Sequence, residues 1–442
     1  MCGIAIQYKD HPCDYEKIAH RGIIKGFLEV EDYKIHHYKL PLQTKVNDEF
    51  NQPIRLKNGN ILLYNGEIFN VAGCFKNDVH YLINFFQQED WLDQIGGEEY
   101  NEWDGFWGIV IITPKEVYAF TDPLGKKQLY FRNGCISSEI KPLMDERTEI
   151  DSNFDFQELK TNCYTPFTEI HRIIPNVLHK FKGTKCSSIK YNLFDLEKKP
   201  ECMDLEKLMD QSVKNRLINR LDSNTLFISG GLDSTILMYH IHKLGLLSNF
   251  QLLTIDNTED NKYIEVLESY FDCIIERIPQ RELMPSEIEH VLKSYEYPIE
   301  KGSLFQQYRL CKNSIGSVIY SGDGADELFS GYSRALEVDS QEYDVFVELP
   351  YYHNLRLDRI CMSVTKENRS PFLSHEIVRY AMNKDWNSRR GKKILRQIYE
   401  GKIPESILNR KKVPLREDFM IEDRKKYVSS IANAFKLIRW MN

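Results

Sequence analysis

The pattern of apolar and polar positions changes near residues 185–205 and divides the chain into two parts. In the first part short β-like apolar runs dominate, and runs over 106–112 and 117–120 flank a tetrad, 113–116, that is typical of a hairpin turn. A further run over 61–64 precedes an Asn-Gly pair, and a helical pattern covers 78–88. These signals predict an antiparallel sheet protein with a few helices.

The second part alternates strands with helices. Continuous apolar runs predict strands, and 3.6-residue periodicity predicts helices between them; the strands are 225–228, 252–255, 273–278 and 317–320, and the helices are 235–244 and 262–270. Such alternation predicts an α/β doubly wound parallel sheet, in which ligands bind at the carboxyl ends of the strands. We therefore expect domains over 2–190 and 200–442.

Length and composition fit this division. The chain has 442 residues, and at roughly 100–200 residues per domain two or three domains are expected. A net charge of −7 gives no footprint for nucleic acid, and no run of apolar residues is long enough to predict a membrane span. The ten cysteines are scattered without a metal-binding spacing, and no secretion signal is recognised, so a cytoplasmic protein with reduced thiols is expected.

A glycine-rich turn, Ser229-Gly230-Gly231-Leu232-Asp233-Ser234, lies between a predicted strand and a predicted helix. Its glycines allow close backbone approach, its serine hydroxyls donate, and the helix N-terminus adds partial positive charge, as a pyrophosphate site requires. The lysine of the P-loop is missing, and Asp233 repels phosphate unless Mg²⁺ lies between them. A tight turn that uses glycine only for its geometry is the alternative.

A second turn, residues 321–327, again follows a strand and places Gly322 and Gly324 beside carboxylates. Asp326 is a candidate second Mg²⁺ ligand, and Asp323 is a candidate for action on the substrate. The alternative is an acidic loop that caps the next helix. Two such turns on neighbouring strand ends favour a Mg²⁺–nucleotide site over either alternative.

The first turn resembles the signature of the ATP-pyrophosphatase superfamily, and with the second turn the chain resembles the asparagine synthetase family. Segments 367–373, 392–396 and 410–412 agree in order. The resemblance implies that Lys392 contacts pyrophosphate and the reacting acyl group; by itself Lys392 would be one more solvated lysine in a basic run. It also implies Asp233 and Asp326 as Mg²⁺ ligands and an ATP site formed by Phe227, Ser229, Gly230, Gly231, Asp233, Ser234, Ile255, Ser321 and Gly322.

Cys2 becomes the first residue once Met1 is removed, and its own α-amino group can then act as the base for the thiol. An incidental buried cysteine is the alternative. Segments 2–4, 20–22 and 65–70, however, resemble a class II glutamine amidotransferase domain, which implies an α+β N-terminal nucleophile-type sandwich. The resemblance further implies an oxyanion hole from Asn65 and Gly66, and glutamine contacts from Lys39, Asn65, Gly66, Glu67 and Asp78.

Three motifs depart from the family pattern. Ile23 and Ile24 replace the Pro-Asp of H-R-G-P-D, Lys39 stands where an arginine fork is usual, and Asp323 is one methylene shorter than the usual glutamate. We expect a glutamine-dependent asparagine synthetase whose catalytic residues are Cys2, Asn65, Gly66, Asp323 and Lys392, with glutamine, aspartate and ATP as substrates and a homodimer left open. The alternatives are another carboxylate acceptor, free ammonia as the donor, or a scaffold with decayed sites.

Overall fold

The computed structural model describes residues 2–42, 50–71, 75–149, 151, 161–200, 202–217, 224–256, 258–281, 283–297, 302–332 and 345–411. The first part contains strands β1 (Cys2–Tyr8), β2 (Ile24–Val30), β3 (Tyr33–Lys39), β4 (Ile54–Arg55), β5 (Ile61–Ile68), β6 (Gly105–Ile112), β7 (Val117–Thr121), β8 (Tyr130–Arg132), β9 (Cys135–Ser137), β10 (His171–Arg172), β11 (Val177–Lys182) and β12 (Lys185–Tyr191). Its helices are α1 (Asp78–Phe86), α2 (Trp91–Gln94) and α3 (Glu98–Asn101).

These strands form two antiparallel sheets, with orders β10-β8-β9-β1-β3-β2 and β12-β11-β7-β6-β5-β4. The sheets face each other across one apolar core, which contains Ile4 and Ile6 of β1 together with Leu63 of β5 and Val110 of β6. The outer face of the second sheet packs against α1 and a cluster of aromatic side chains. The predicted sandwich of antiparallel sheets and helices is confirmed.

The second part contains α4 (Leu205–Arg216), β13 (Asn224–Phe227), α5 (Leu232–Lys243), β14 (Phe250–Ile255), α6 (Thr258–Phe271), β15 (Glu276–Ile278), α7 (Pro285–Tyr295), α8 (Gly302–Asn313), β16 (Val318–Tyr320), α9 (Ala325–Leu328), α10 (Asn354–Met362), β17 (Glu367–Arg369), α11 (His375–Met382), α12 (Trp386–Arg389), α13 (Lys393–Ile398) and α14 (Glu405–Leu408). The strands form one sheet, β15-β14-β13-β16-β17, in which every neighbouring pair is parallel. The predicted parallel α/β sheet is confirmed.

The strand order reverses between β13 and β16, which are hydrogen-bonded neighbours. Such a switch point opens a crevice at the carboxyl edge of the sheet. Both glycine turns follow these two strands, so the fold brings together two segments that lie about ninety residues apart in the sequence.

The two parts pack closely against each other. One apolar cluster joins Ala5 and Ile140 of the first part to Tyr295 and Ile360 of the second. Within the described residues, no helix combines the length and apolarity needed to cross a membrane.

Some predicted boundaries were wrong by a few residues. The strand predicted over 273–278 begins only at Glu276, because Cys273 and Ile275 are hydrogen-bonded to Glu268 at the end of α6. Helix α5 begins at Leu232 rather than at Thr235, directly after Gly231, whose carbonyl accepts from the Thr235 N–H.

Candidate active sites

The candidate thiol site lies where β1 of the first sheet faces β5 of the second. The Cys2 backbone N–H donates to Asn65 Oδ1 at 2.8 Å, and this bond fixes which end of the amide faces Cys2. Asn65 is fully buried, and its Nδ2 has no hydrogen-bond partner within the part of the chain that the structure describes. A buried, unsatisfied donor beside a thiol has the chemistry of an oxyanion-hole donor.

Gly66 follows Asn65 at a point where β5 and β6 approach closely. A Cβ on Gly66 would lie 2.1 Å from the carbonyl oxygen of Phe106 and 2.8 Å from Cα of Trp107. Only glycine therefore fits here without moving the strand that carries Asn65. Burial raises the pKa of the Cys2 thiol, so the predicted role of Cys2 as nucleophile requires a base. Met1 lies outside the described residues, and the terminal amine remains the predicted base.

The predicted glutamine-binding carboxylates lie next to this strand. Asp78 opens α1 and accepts from the Tyr64 hydroxyl at 2.8 Å and from the Ile68 and Val79 N–H groups at 3.2 and 2.9 Å. Burial raises the pKa of Asp78. Burial also raises the pKa of Glu67 to about 8, and the neighbouring carboxylates of Asp78 and Glu367 add to this increase. Two neighbouring acids of this kind favour a cationic ligand, since a positive charge relieves their mutual repulsion.

Lys39 lies opposite Cys2 in the register of β1 and β3, as a contact for the substrate requires. In the structure its Nζ donates to Asn51 Oδ1 at 3.1 Å. Arg21, by contrast, contacts Cys2 directly, because its Nε donates to the Cys2 carbonyl at 3.1 Å.

The two nucleotide turns touch each other at the switch point. A Cβ on Gly322 would lie 2.8 Å from Cβ of Asp233 and 2.9 Å from the Ser234 backbone nitrogen. Ser234 Oγ lies 3.2 Å from Ser229 Oγ, so both hydroxyls line the same turn. Gly230 has a φ of +63°, a conformation that other residues rarely adopt. Ser321 follows β16 directly beside this turn.

Phe227 and Ile255 end the adjacent strands β13 and β14. Ile255 lies in a small apolar cluster against which Phe227 packs. The two predicted ATP contacts therefore form an apolar wall next to the first turn, which suits an adenine ring.

Lys392 lies between the two predicted Mg²⁺ ligands. Its Nζ is 2.6 Å from both carboxylate oxygens of Asp233 and 2.5 Å from Asp326 Oδ1. Lys392 has a left-handed φ of 60°, and backbone bonds from Gly391 to Ser330 and from Lys392 to Phe329 hold it there. A strained residue that is held in place in this way is typical of a functional site.

Asp233 and Asp326 also meet the requirements of Mg²⁺. This ion is usually held by one or two carboxylates and completes its shell with phosphate oxygens and water. Among the described residues no group of three or more His, Cys, Asp or Glu side chains could hold a metal ion. Asp233 and Asp326 would hold the ion against the pyrophosphate of a bound nucleotide.

Asp323 is the residue of the second turn that is predicted to act on the substrate. It pairs with Arg356 of α10, whose Nη2 lies 2.8 Å away, while Arg356 Nη1 donates to Ser303 Oγ at 3.2 Å. Sequence reasoning missed Arg356 and Ser303, as well as Arg410, whose Nη1 donates to the Gly230 carbonyl at 2.8 Å. No local pattern marks Arg356, whereas Arg410 lies in a segment that already matched the family.

A buried thiol on stacked antiparallel sheets, followed by paired nucleotide turns on a parallel sheet, defines the class of glutamine-dependent, ATP-using amidotransferases. The family model described as "Asparagine synthase" matches residues 204–344 and 339–433, more than half of the chain. The chain therefore belongs to the asparagine synthase family.

Two relatives with known names match the chain at low sequence identity. Asparagine synthetase [glutamine-hydrolyzing] 3 of Bacillus subtilis (strain 168) is 23% identical over 494 residues, covering 86% of this chain and 78% of the relative. Asparagine synthetase [glutamine-hydrolyzing] of Homo sapiens is 26% identical over 489 residues, covering 93% and 83%. The solved glutamine phosphoribosylpyrophosphate amidotransferase of B. subtilis is 12% identical, with a TM-score of 0.31, and covers 51% of this chain and 60% of that chain.

Proposed function

We propose that this protein is a glutamine-dependent asparagine synthetase that uses ATP and Mg²⁺. The observation that carries the proposal is the Nδ2 of buried Asn65 beside Cys2, which has no hydrogen-bond partner among the described residues, in the same chain as the Asp233–Lys392–Asp326 cluster. The first feature suits an acyl-transfer site and the second suits a nucleotide site. The two relatives are named asparagine synthetases, and because asparagine is the amide of aspartate, we take aspartate as the acceptor.

In the thiol site, Cys2 Sγ attacks the carboxamide carbon of glutamine. The carbon–nitrogen bond breaks, ammonia leaves with the proton taken from the thiol, and water later hydrolyses the thioester to glutamate. Asn65 Nδ2 and the Gly66 N–H donate to the oxyanion. Asp78 and Glu67 bind the substrate ammonium, and Lys39 pairs with its carboxylate without the bidentate geometry of arginine.

In the nucleotide site, a carboxylate oxygen of aspartate attacks the α-phosphorus of ATP and pyrophosphate leaves. Ammonia then attacks the acyl carbon, AMP leaves and one proton is lost, which gives the amide. Asp233 and Asp326 would hold Mg²⁺, which would supply positive charge against the leaving pyrophosphate. Lys392 pairs with the pyrophosphate and the acyl-adenylate, and Asp323 orients ammonia or accepts its proton. Ammonia passes through the interior, because water would protonate it and capture both acyl intermediates.

Asp323 supports a second candidate, an amidotransferase for another carboxylate. Its side chain is short and paired with Arg356, so an acceptor with a different chain length or a second acidic group could bind there. Lys39 replaces the usual arginine fork and would bind the glutamine carboxylate less tightly. This substitution supports free ammonia as an alternative donor.

Product identification tests the proposal. The protein is incubated with glutamine, ATP, MgCl₂ and either aspartate or one of a panel of other carboxylates, and the amide, AMP and pyrophosphate are measured. We expect asparagine. Pyrophosphate exchange that depends on another carboxylate and not on aspartate would establish the second candidate instead.

The cysteine assignment has its own control. Cys2→Ala should make product from ammonium salts and not from glutamine, whereas Cys202→Ala, which removes a thiol outside the proposed machinery, should use both donors. If Cys2→Ala still uses glutamine, the nucleophile lies elsewhere.

A further inference from the structure

Two consecutive lysines are buried where the two parts of the chain meet. Lys126 and Lys127 follow β7 in a loop that Asp122 fixes, because its carboxylate accepts from the backbone N–H groups of Leu124, Lys126 and Lys127 at 3.1, 3.0 and 3.0 Å. Lys127 is 0% exposed and Lys126 is 3% exposed. Burying an ammonium group costs free energy unless it has hydrogen-bond or ionic partners. The partners of these two lysines therefore indicate what the lysines do.

Lys127 begins a chain of contacts that ends at the thiol site. Its Nζ donates to Asp358 Oδ1 at 2.7 Å, and Arg21 Nη2 donates to Asp358 Oδ2 at 2.9 Å. Arg21 Nε in turn holds the Cys2 carbonyl. Burial alone would raise the pKa of Asp358, but Arg21 and Lys127 hold it well below its ordinary value, so the carboxylate is ionised. Asp358 belongs to α10, in the second part of the chain.

Lys126 begins a chain that ends at the nucleotide site. Its Nζ donates to Asn368 Oδ1 at 3.2 Å and to Ser370 Oγ at 3.4 Å. Asn368 Nδ2 donates to Ser321 Oγ at 2.9 Å, and Ser321 is the first residue of the second nucleotide turn. A side chain of the first part thus supports a turn of the second part.

Both ammonium groups also lie over the same ring. Nζ of Lys126 and Nζ of Lys127 are 4.9 and 4.7 Å from the centroid of Phe106, which pairs with Glu67 in the β5–β6 register. The ring gives both Nζ groups a favourable face. The loop therefore places Lys127 toward the thiol site and Lys126 toward the nucleotide site.

We propose that Asp358 and Lys126 are positioning residues acting in opposite directions: Asp358 of the second part orients Cys2 through Arg21, and Lys126 of the first part orients Ser321 through Asn368. Neither residue touches a substrate in this scheme, which rests on the proposed function. Simple adhesion between the parts would give no such directionality, because loosening the interface would affect both sites together.

The test compares two variants in two half-reactions. Asp358→Asn should lower kcat for glutamine hydrolysis about tenfold or more, because the Arg21 contact that holds Cys2 is weakened. Its aspartate-dependent ATP–pyrophosphate exchange should stay within about twofold of the unmodified protein. Lys126→Met should show the reverse pattern. Asp358→Glu, which keeps the charge, should recover part of the lost hydrolysis.

A matched control is the ion pair between Arg216 and Asp104, which also joins the two parts, with two contacts of 2.9 Å, and belongs to neither chain of contacts. Asp104→Asn should lower stability without changing the ratio of the two half-reactions. If Asp358→Asn fails to fold, the double variant Lys127→Met/Asp358→Asn removes both charges and keeps the comparison. Loss of both half-reactions in parallel, or of neither, would overturn the proposal.

Two readouts do not need turnover. The rate of Cys2 alkylation by iodoacetamide, followed on the N-terminal peptide by mass spectrometry, should change only in the Asp358 variants. ATP binding with MgCl₂, followed by titration calorimetry, should weaken only in Lys126→Met. If the unmodified protein hydrolyses no glutamine and exchanges no pyrophosphate, the proposed function fails, while these two measurements still decide whether the positioning is directional.

Discussion

Gly331 lies beside the carboxylate of Asp326 and the side chain of Lys392. A Cβ at this position would lie 2.1 Å from Asp326 Oδ1, 2.2 Å from Lys392 Cε and 2.9 Å from Lys392 Nζ. Real Cβ atoms essentially never come within 3.0 Å of another heavy atom. Gly331→Ala must therefore push the side chains of Asp326 and Lys392 away.

The size of the effect follows from these distances. Restoring ordinary contact requires both side chains to retreat by about 1 Å or more, which breaks the 2.5 Å pair between Lys392 and Asp326. Misplacing a positioned group by about 1 Å typically costs about a hundredfold in rate, or roughly 2.7 kcal/mol of transition-state stabilisation. We expect this loss in aspartate-dependent ATP–pyrophosphate exchange.

The assay measures exchange and glutamine hydrolysis on the same preparation. Hydrolysis should stay within about twofold, because Cys2 lies in the other part of the chain. Gly245→Ala is the matched control: Gly245 has a φ of +72°, and among the described residues nothing lies within 4 Å of the point that a Cβ would occupy. This control should therefore lose about 1 kcal/mol of stability without disturbing the site. Near-normal exchange in a folded Gly331→Ala protein would refute the assigned roles of Lys392 and Asp326.

Three further predictions concern the thiol site and the interface. Asn65→Ala should lower kcat for glutamine hydrolysis about 10²- to 10³-fold and spare synthesis from ammonium salts, and an unchanged kcat would exclude it from the oxyanion hole. Burial lowers the pKa of Lys126 from 10.5 to about 7. Lys126→Met should therefore raise the free energy of unfolding in urea by at most about 5 kcal/mol at pH 7, and this gain should shrink as pH rises toward 10. A difference in stability that does not depend on pH would contradict this prediction. Burial opposes ionisation of Asp104, but Arg216 holds the pKa of this carboxyl at about 2. Asp104→Asn should therefore lower the free energy of unfolding by about 3 kcal/mol at pH 7, and by less as pH falls from about 4 through 2. An equal loss of stability at pH 2 would refute the ion pair.

The sequence was sufficient for the parts of the fold that leave a local signal. The antiparallel strands, the alternating second part and the position of both glycine turns follow from periodicity and turn residues. The family pattern directed attention to Lys392, and the structure brings it to Asp233 and Asp326. The roles of these residues stay predictions, whereas their proximity is a property of the fold.

What the sequence could not reveal are contacts between distant residues. Arg21 and Asp358 are 337 positions apart, and Arg356 reaches Asp323 from a separate helix. A buried lysine such as Lys126 resembles any other lysine in the sequence, because its surroundings come from segments that no pattern connects. Elements with periodic signals were therefore predictable, while the pairings that hold the sites in place were not.

These pairings also bear on why the two sites share one chain. In α10, Arg356 points to Asp323 at the nucleotide site, and Asp358, two residues later, points to Arg21 at the thiol site. Positions two apart on a helix face nearly opposite directions, so one rigid helix contacts both sites. If a substrate bound beside Asp323 shifted α10, the shift would be transmitted to Cys2 through only two side chains, those of Asp358 and Arg21. Such a connection would let the acceptor site influence when ammonia is released. Comparing glutamine hydrolysis with and without aspartate, ATP and MgCl₂, in the unmodified protein and in Asp358→Asn, would measure this energetic coupling.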